Sequence, residues 1–347
     1  MQKGQVFLFV FIAVVLCLLL YLFKNFLMTI VIGSLMAVAT SNLNARLLTV
    51  FKGKKIIATF ISTLLLLLLF FVPFTYATIK LAMTLKDFDI NTITQTINYI
   101  QNYNFDLPHY LDFLKPMLID IINNLDINSL SKNALTFFST FTKSSLKFIV
   151  DMFLIVIFYF FANLYGTSLI SYLKSIVPID KNEFQEVLSE VSNVMAVVFY
   201  SMVLVAVFEG ILFGFITMFF GYDGILMSIV FAFSSLIPAI GGALVYVPIS
   251  LYKFALNDIS AALWILLYSF IVISIIADTF IKPLIIKWIN KKLVSTPTKV
   301  NELLIFLSMI AGISSFGFWG IILGPAILTF FISTLKMYVI LKDKNLL

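Results

Sequence analysis

Glu209, Asp278 and Lys282 put charge inside apolar sequence, and glycine, serine and proline interrupt two other apolar runs. Glu209 lies near the middle of VLVAVFEGILFGFITMFFG, where a carboxylate at the centre of a membrane-spanning helix costs on the order of 3 kcal/mol. It needs water, a cation, a partner or a proton. Two roles stay open for it: a protonated structural glutamate, or a polar lining that exchanges a proton with the path of a solute. Asp278 and Lys282 stand four residues apart in SIIADTFIKPLIIKW, so they share a helical face and are expected to pair. Pro283 interrupts the hydrogen bonding at that point, which leaves an interfacial ion pair and a gate or hinge as equal readings.

The interrupted runs come next. Ile225 to Tyr252 is apolar enough to enter a bilayer but carries Ser234, Ser235, Pro238, Gly241 and Gly242 in its middle. Such a break is expected to leave backbone groups unpaired, which hydrocarbon tolerates only beside protein or water, so it predicts a cavity. Leu303 to Leu335 has the same grammar around Gly312, Ser314, Ser315, Gly317, Gly320, Gly324 and Pro325. Sliding one over the other pairs Gly241 with Gly324, Ser250 with Ser333 and Lys253 with Lys336. Paired interrupted segments in the two halves of a membrane protein point to a transporter's binding region. Ser235, Pro238, Gly241, Gly242, Ser315, Gly317, Gly320, Gly324 and Pro325 are therefore the expected hairpin-tip region, with Pro283 and Gly312 as hinges.

The elements that must position these residues follow from composition. Of the 347 residues, 61% are hydrophobic and 12% charged, too little polar surface to cover a water-soluble chain of this length. The solvent is a membrane. The net charge of +6 comes from lysines in short segments beside apolar runs, the positive-inside pattern, and no basic face studded with aromatics points to nucleic acid. The single cysteine, Cys17, excludes a disulfide framework within the chain and reads as a buried thiol. His109, the only histidine, has no partner for a metal site and reads as surface structure. Nothing resembles a nucleophile elbow, P-loop or dinucleotide fingerprint, so neither enzyme chemistry nor a cofactor is expected.

Taken in order, residues 1–80 hold the first three spans: Val6 to Phe23, retained rather than cleaved, a short Phe26 to Thr40, and Ile56 to Ile79. The loop Ser41 to Lys55, basic and without an acid, is placed in the cytoplasm together with the N-terminus. Residues 81–147 read as an extracytoplasmic helical insert, from the helical spacing of Ile90, Ile93, Ile97 and Ile100 and of Leu111 to Leu125, with a capping box at Thr92 and Gln95. Residues 148–190 hold the fourth span and a polar cytoplasmic connection, with a second capping box at Asp180 and Glu183. Residues 191–255 hold a span and the first hairpin. Residues 256–347 hold a span over Ala261 to Ile281, a lysine-rich loop ending at Lys299, the second hairpin and a C-terminal tail, also cytoplasmic. Parity requires the hairpins: a full crossing by Ile225 to Tyr252 would strand the lysines of 282–299 outside. Leu303 to Leu335 as one helix would be roughly 50 Å long against a core of about 30 Å. The expected fold is an all-α integral membrane protein with about six full transmembrane helices, two inverted re-entrant helical hairpins and a small extramembrane helical insert.

The run Leu236, Ile237, Pro238, Ala239, Ile240, Gly241, then Asp278 to Pro283, then Gly312, Gly317, Gly320, Gly324 and Pro325 resembles the autoinducer-2 exporter family of permeases. The likeness covers nearly the whole chain in layout and is specific from Val194 onward. It departs at Ala239, where an aromatic is common, at Gly242, where proline is common, and at Thr279, where asparagine is frequent. The resemblance implies a bacterial inner-membrane transporter and a homo-oligomer. Some members are described as exporters of the furanosyl signal autoinducer-2, others as sodium or lithium/proton antiporters. The expected function is thus secondary transport of a small hydrophilic solute by alternating access, with a proton or sodium ion as its partner and membrane lipid as its solvent. A non-transporting membrane scaffold, whose glycines merely pack helices, and a passive channel are the competing classes.

Overall fold

The computed structural model describes residues 3–86, 127–176, 181–292 and 301–343, and no strand occurs among them. Helices α1 (Lys3–Leu22) and α2 (Leu27–Ala39) meet at 95°. At 13 residues, α2 is about 20 Å long, short of a hydrocarbon core of about 30 Å. The expected loop after it is instead largely helical: α3 (Ser41–Val50) carries Arg46, and the turn proper is confined to residues 51–54. A run of positive charge fixes a side of the membrane, not a backbone conformation. Cys17 is exposed on α1, whose apolar side chains point outward on every face. The expectation of a buried thiol fails because an apolar helix in lipid need not be a packed one.

Next come α4 (Lys55–Leu66), a π-helical turn at Leu67–Phe71 and α5 (Val72–Lys86), then α6 (Ile127–Ile176) and α7 (Lys181–Met218). Both long helices begin before their expected spans, so much of the polar connection ahead of Val191 and the end of the insert are extensions of membrane helices. The isoleucine and leucine patterns between 87 and 126, Thr92, Gln95, His109, Asp180, Lys299 and Lys344 lie outside the described residues. The chain continues through α8 (Gly224–Ser235), α9 (Ala243–Ala255), α10 (Ile259–Tyr268), a π-helical stretch Ser269–Ile281, α11 (Lys282–Lys292), α12 (Glu302–Phe316), a 3-10 turn Gly317–Trp319 and α13 (Gly320–Asp343). Asp223, Asp258 and Asn301 cap α8, α10 and α12 by accepting from Leu226, Ala261 and Leu303 backbone N–H groups, as short polar side chains at N-caps do.

Proline accounts for where the helices widen. Each π-helical segment stops two residues before a proline, Phe71 before Pro73 and Ile281 before Pro283. A proline ring collides with the carbonyl four residues back and offers no N–H, and a wider turn relieves the collision. Pro283 therefore marks a change of helical pitch within one continuous rod rather than the end of the span.

Among the described residues five helical stretches are long and apolar enough to cross a membrane, six if α1 and α2 form one bent span. The protein is an all-α membrane protein. One of the five, Leu303–Lys336, is not straight. A Cβ on Gly320 would fall 1.9 Å from the Gly312 carbonyl oxygen, and one on Gly324 1.9 Å from that of Ser308. Positions 312 and 308 can oppose 320 and 324 only if α13 runs back along α12, reversing at Gly317, whose φ is +63°.

Two compact units emerge, each assembled from separate parts of the chain. Unit 1 holds Met1–Leu68, Val150–Phe199 and Leu293–Leu347, and with them the α12–α13 hairpin; unit 2 holds Leu69–Ile149 and Tyr200–Lys292, with α8 and α9. The core of unit 2 is built from Phe213, Phe231, Val245, Tyr246, Ile265 and Ile273, with the Phe213 and Phe231 rings stacked 4.5 Å apart. Beside it, Gly210 and Gly214 on α7 lie against Ser228, Ala232 and Gly224 on α8 so closely that no Cβ fits. This is small-residue packing at four-residue spacing, the usual means of bringing membrane helices together.

Candidate functional site

The first hairpin is closed at its base by polar contacts. Tyr222 precedes α8 and Lys253 lies near the end of α9, yet Lys253 Nζ sits 5.2 Å from the centre of the Tyr222 ring and 3.5 Å from Asp258 Oδ2. Two helices of 12 and 13 residues that begin and end together form a hairpin arm roughly 20 Å long. Burial, then the Tyr252 phenol and the Asp258 carboxylate, push the Tyr222 phenol up to about 12 from 10.0. A phenol whose folded value is raised lends stability that is intact below its unfolded value and lost as pH climbs through the folded one. Tyr222→Phe should therefore remove one tyrosinate transition near pH 12 from the ultraviolet titration and flatten the loss of stability between pH 10 and 12. A titration identical to the parent protein's would refute this.

At the tip, residues 236–242 pair most of their backbone internally, unlike the expected row of orphans. Ile237 N–H donates to Ser234, Ile240 N–H to Pro238 and Gly241 N–H to Ile237. Ser234 Oγ donates to the Gly241 carbonyl at 2.6 Å. Gly241 is held so close that a Cβ would lie 2.0 Å from the Ser234 oxygen. Ala239 carries φ +70°, a conformation that costs an alanine about 1–2 kcal/mol. Ala239→Gly should thus stabilise the protein by roughly 0.5–1 kcal/mol once glycine's extra chain entropy is deducted, a gain that a thermal melt in detergent checks. Leu236, at the start of the tip, borders a cleft of about 40 Å³ lined otherwise by Leu69, Phe70, Val203, Ala206, Val207, Ala232 and Phe233. It is apolar and has room for a few waters at most.

The expected charged residues converge beside this tip. Glu209, 7% exposed, has the Ser235 hydroxyl in hydrogen-bonding reach and Asp278 and Lys282 close enough to act on its charge. Lys282 Nζ donates to Asp278 Oδ1 at 3.0 Å, with both side chains nearly half exposed. Two carboxyl groups, one ammonium and a hydroxyl thus gather around the point where the first hairpin turns. Such a set can hold a proton or small cation on one carboxyl group while the lysine balances the other. Among the described residues no group of three histidine, cysteine or acidic side chains could hold a metal ion.

The second hairpin distributes its residues differently. Ser315 and Gly317 are exposed at its turn. Gly320 opens α13 and Gly312 lies within α12, and the arms meet here so closely that neither position admits a Cβ. Gly312, expected as a hinge, is in tight packing contact with Gly320. Gly324 and Pro325 are buried inside α13 rather than at the tip, because the turn falls at 317–319. A cluster not singled out from the sequence lies near the far end of α13. Ser333 Oγ donates to Glu190 Oε2 at 3.0 Å, and Lys336 donates to the other carboxylate oxygen. The offset match between the hairpins held the signal, since Lys253 and Lys336 each reach a carboxylate.

Interrupted helices folded back on themselves, with charge gathered at a tip inside apolar sequence, define a multi-pass membrane protein of the transport class. Residues 8–340 match the model of the AI-2E family transporter, and the chain belongs to that family. It is 31% identical over 337 residues to the "Putative transport protein" of Helicobacter pylori strain J99, covering 97% of this chain and 96% of the relative. A protein of the same name from Helicobacter pylori strain 26695 is 31% identical over 340 residues, with 97% and 96% covered. One from Aquifex aeolicus is 26% identical over 305 residues, with 81% and 82% covered.

Proposed function

We propose that the protein is a secondary transporter of the bacterial inner membrane that moves a small hydrophilic solute by alternating access, with both termini in the cytoplasm. The gathering of Glu209, Ser235, Asp278 and Lys282 at the turn of the first hairpin carries this reading. Charge at membrane depth is retained where it serves a pathway. In the proposed cycle Glu209 exchanges a proton as the Ser235 region opens and closes, while the Asp278–Lys282 pair supplies a local field that changes when the π-helical stretch shifts. The solute is autoinducer-2 or a molecule of like polarity, as the family's name supports. The same set of groups also favours a second reading, sodium or lithium exchange for protons. The transporter is further proposed to assemble as a homo-oligomer.

A transport path differs from dry packing in its access to water. Gly241 and Gly320 admit no side chain, so Ser235→Cys and Ser315→Cys, each with Cys17→Ser, are the suitable probes. Both should react with a membrane-impermeant thiol reagent, from opposite faces of the membrane. Inertness of both in a folded preparation reconstituted in lipid would point to the scaffold reading instead.

A further inference from the structure

Unit 1 contains a buried polar stack that the hairpins do not use. Three helical segments each contribute a pair of uncharged polar residues one turn apart: Thr40 and Asn44 at the α2–α3 junction, Thr59 and Ser62 on α4, and Tyr159 and Asn163 on α6. Thr59 and Tyr159 are both 0% exposed. The Tyr159 hydroxyl lies 2.8 Å from Thr40 Oγ1 and within hydrogen-bonding reach of Ser62 and Asn163. Asn163 Nδ2 donates to the Tyr159 carbonyl at 3.1 Å.

Register ties this stack to the end of the helix. Lys55 Nζ donates to Thr167 Oγ1 at 3.0 Å, and Ser62 meets Tyr159, so α4 and α6 run antiparallel and Thr59 stands level with Asn163. From Lys55 to Ser62 is roughly 10 Å of helix. Hydrogen-bonding side chains thus line one continuous face from the lysine-bearing turn into the apolar span. Thr59 Oγ1, at the middle level, and Asn44 Oδ1, one turn beyond Thr40, are buried atoms without a partner. Buried polar atoms in this position are normally completed by ordered water.

We propose that the Asn44–Thr59–Asn163 group of unit 1 is a hydration site, an ordered water held in a crevice that opens at the Lys55 end. Water fits because it donates to two acceptors at once and carries no charge. A cation fits poorly, since none of the six stack residues is acidic and neutral oxygens alone would have to replace its hydration shell. The inference stands apart from the role given to Glu209.

Radiolytic hydroxyl-radical footprinting of the full-length protein in lipid nanodiscs tests it. Radicals form where water is held, so Tyr159 should be oxidised about tenfold faster than Phe213, an equally buried ring in an apolar core. Thr59→Val should cut the Tyr159 rate several-fold and lower the melting temperature, and Thr59→Ser should restore both. A dry stack gives the opposite pattern: Tyr159 as silent as Phe213, and a melting temperature that is unchanged or higher for Thr59→Val because an orphaned hydroxyl has been removed. Suppression of Tyr159 oxidation by millimolar sodium but not by choline would replace water with a cation and overturn the assignment.

Discussion

Gly320→Ala is expected to destabilise the protein by about 3 kcal/mol, at the upper end of what an added methyl costs in a packed core. The new Cβ would lie 1.9 Å from the Gly312 carbonyl oxygen and 2.0 Å from its carbon. Both are backbone atoms, so no side chain can rotate away to make room. The arms of the second hairpin would have to separate, exposing the contact that lets them fold back at all. Gly166→Ala is the matched control: that glycine also lies in a helix, and nothing stands within 4 Å of the added carbon. It should stabilise by up to about 1 kcal/mol through helix propensity alone. Thermal melts of the two variants in one detergent decide the matter. Equal behaviour would mean that α12 and α13 do not touch at these glycines.

Glu209→Gln is expected to lower solute flux under an imposed proton gradient by about 10- to 100-fold, the loss that corresponds to a coupling of roughly 1.4–3 kcal/mol. The amide keeps the size and hydrogen-bonding of a protonated carboxyl group but cannot release its proton. A cycle that needs both states would therefore stall in one of them. Asp278→Asn should cost less, because Asp278 is nearly half exposed and its partner Lys282 can reorient. Flux through proteoliposomes, with and without the gradient, separates coupling from uptake. Should Glu209→Gln retain both the flux and its response, the glutamate is structural, and its burial beside Ser235 serves only the packing of α7.

Much of the design was legible in residue order because the bilayer imposes severe rules. Asp278 and Lys282 pair at four-residue spacing as read, and both interrupted runs do fold back. The match that set Lys253 against Lys336 singled out two lysines that each end on a carboxylate, without naming the partners. What escaped were matters of packing. Gly210 and Gly214 stood beside Glu209 in plain view, but a four-residue glycine spacing has meaning only opposite a second small surface, here Gly224, Ser228 and Ala232. Glu190 looked like part of a polar connection, and only the course of α13 brings Lys336 and Ser333 to it. Nor could Thr59 be told from any hydroxyl in a span, because its significance depends on what α6 and the α2–α3 junction place around it.

The amino-acid order by itself determined that this chain belongs in lipid, that its long apolar runs are helical, and that two of those runs must break. Those are consequences of hydrophobicity, proline geometry and the cost of an unpaired backbone group, each of which acts within a short stretch. Only the tertiary structure decided that the broken tip of the first hairpin pairs most of its own backbone, that Gly312 packs against Gly320, and that Glu209 has the Ser235 hydroxyl within reach and the charges of Asp278 and Lys282 acting on it. Proximity between residues far apart in the chain depends on which helix faces which, and helices of nearly uniform apolarity carry little local information about their neighbours.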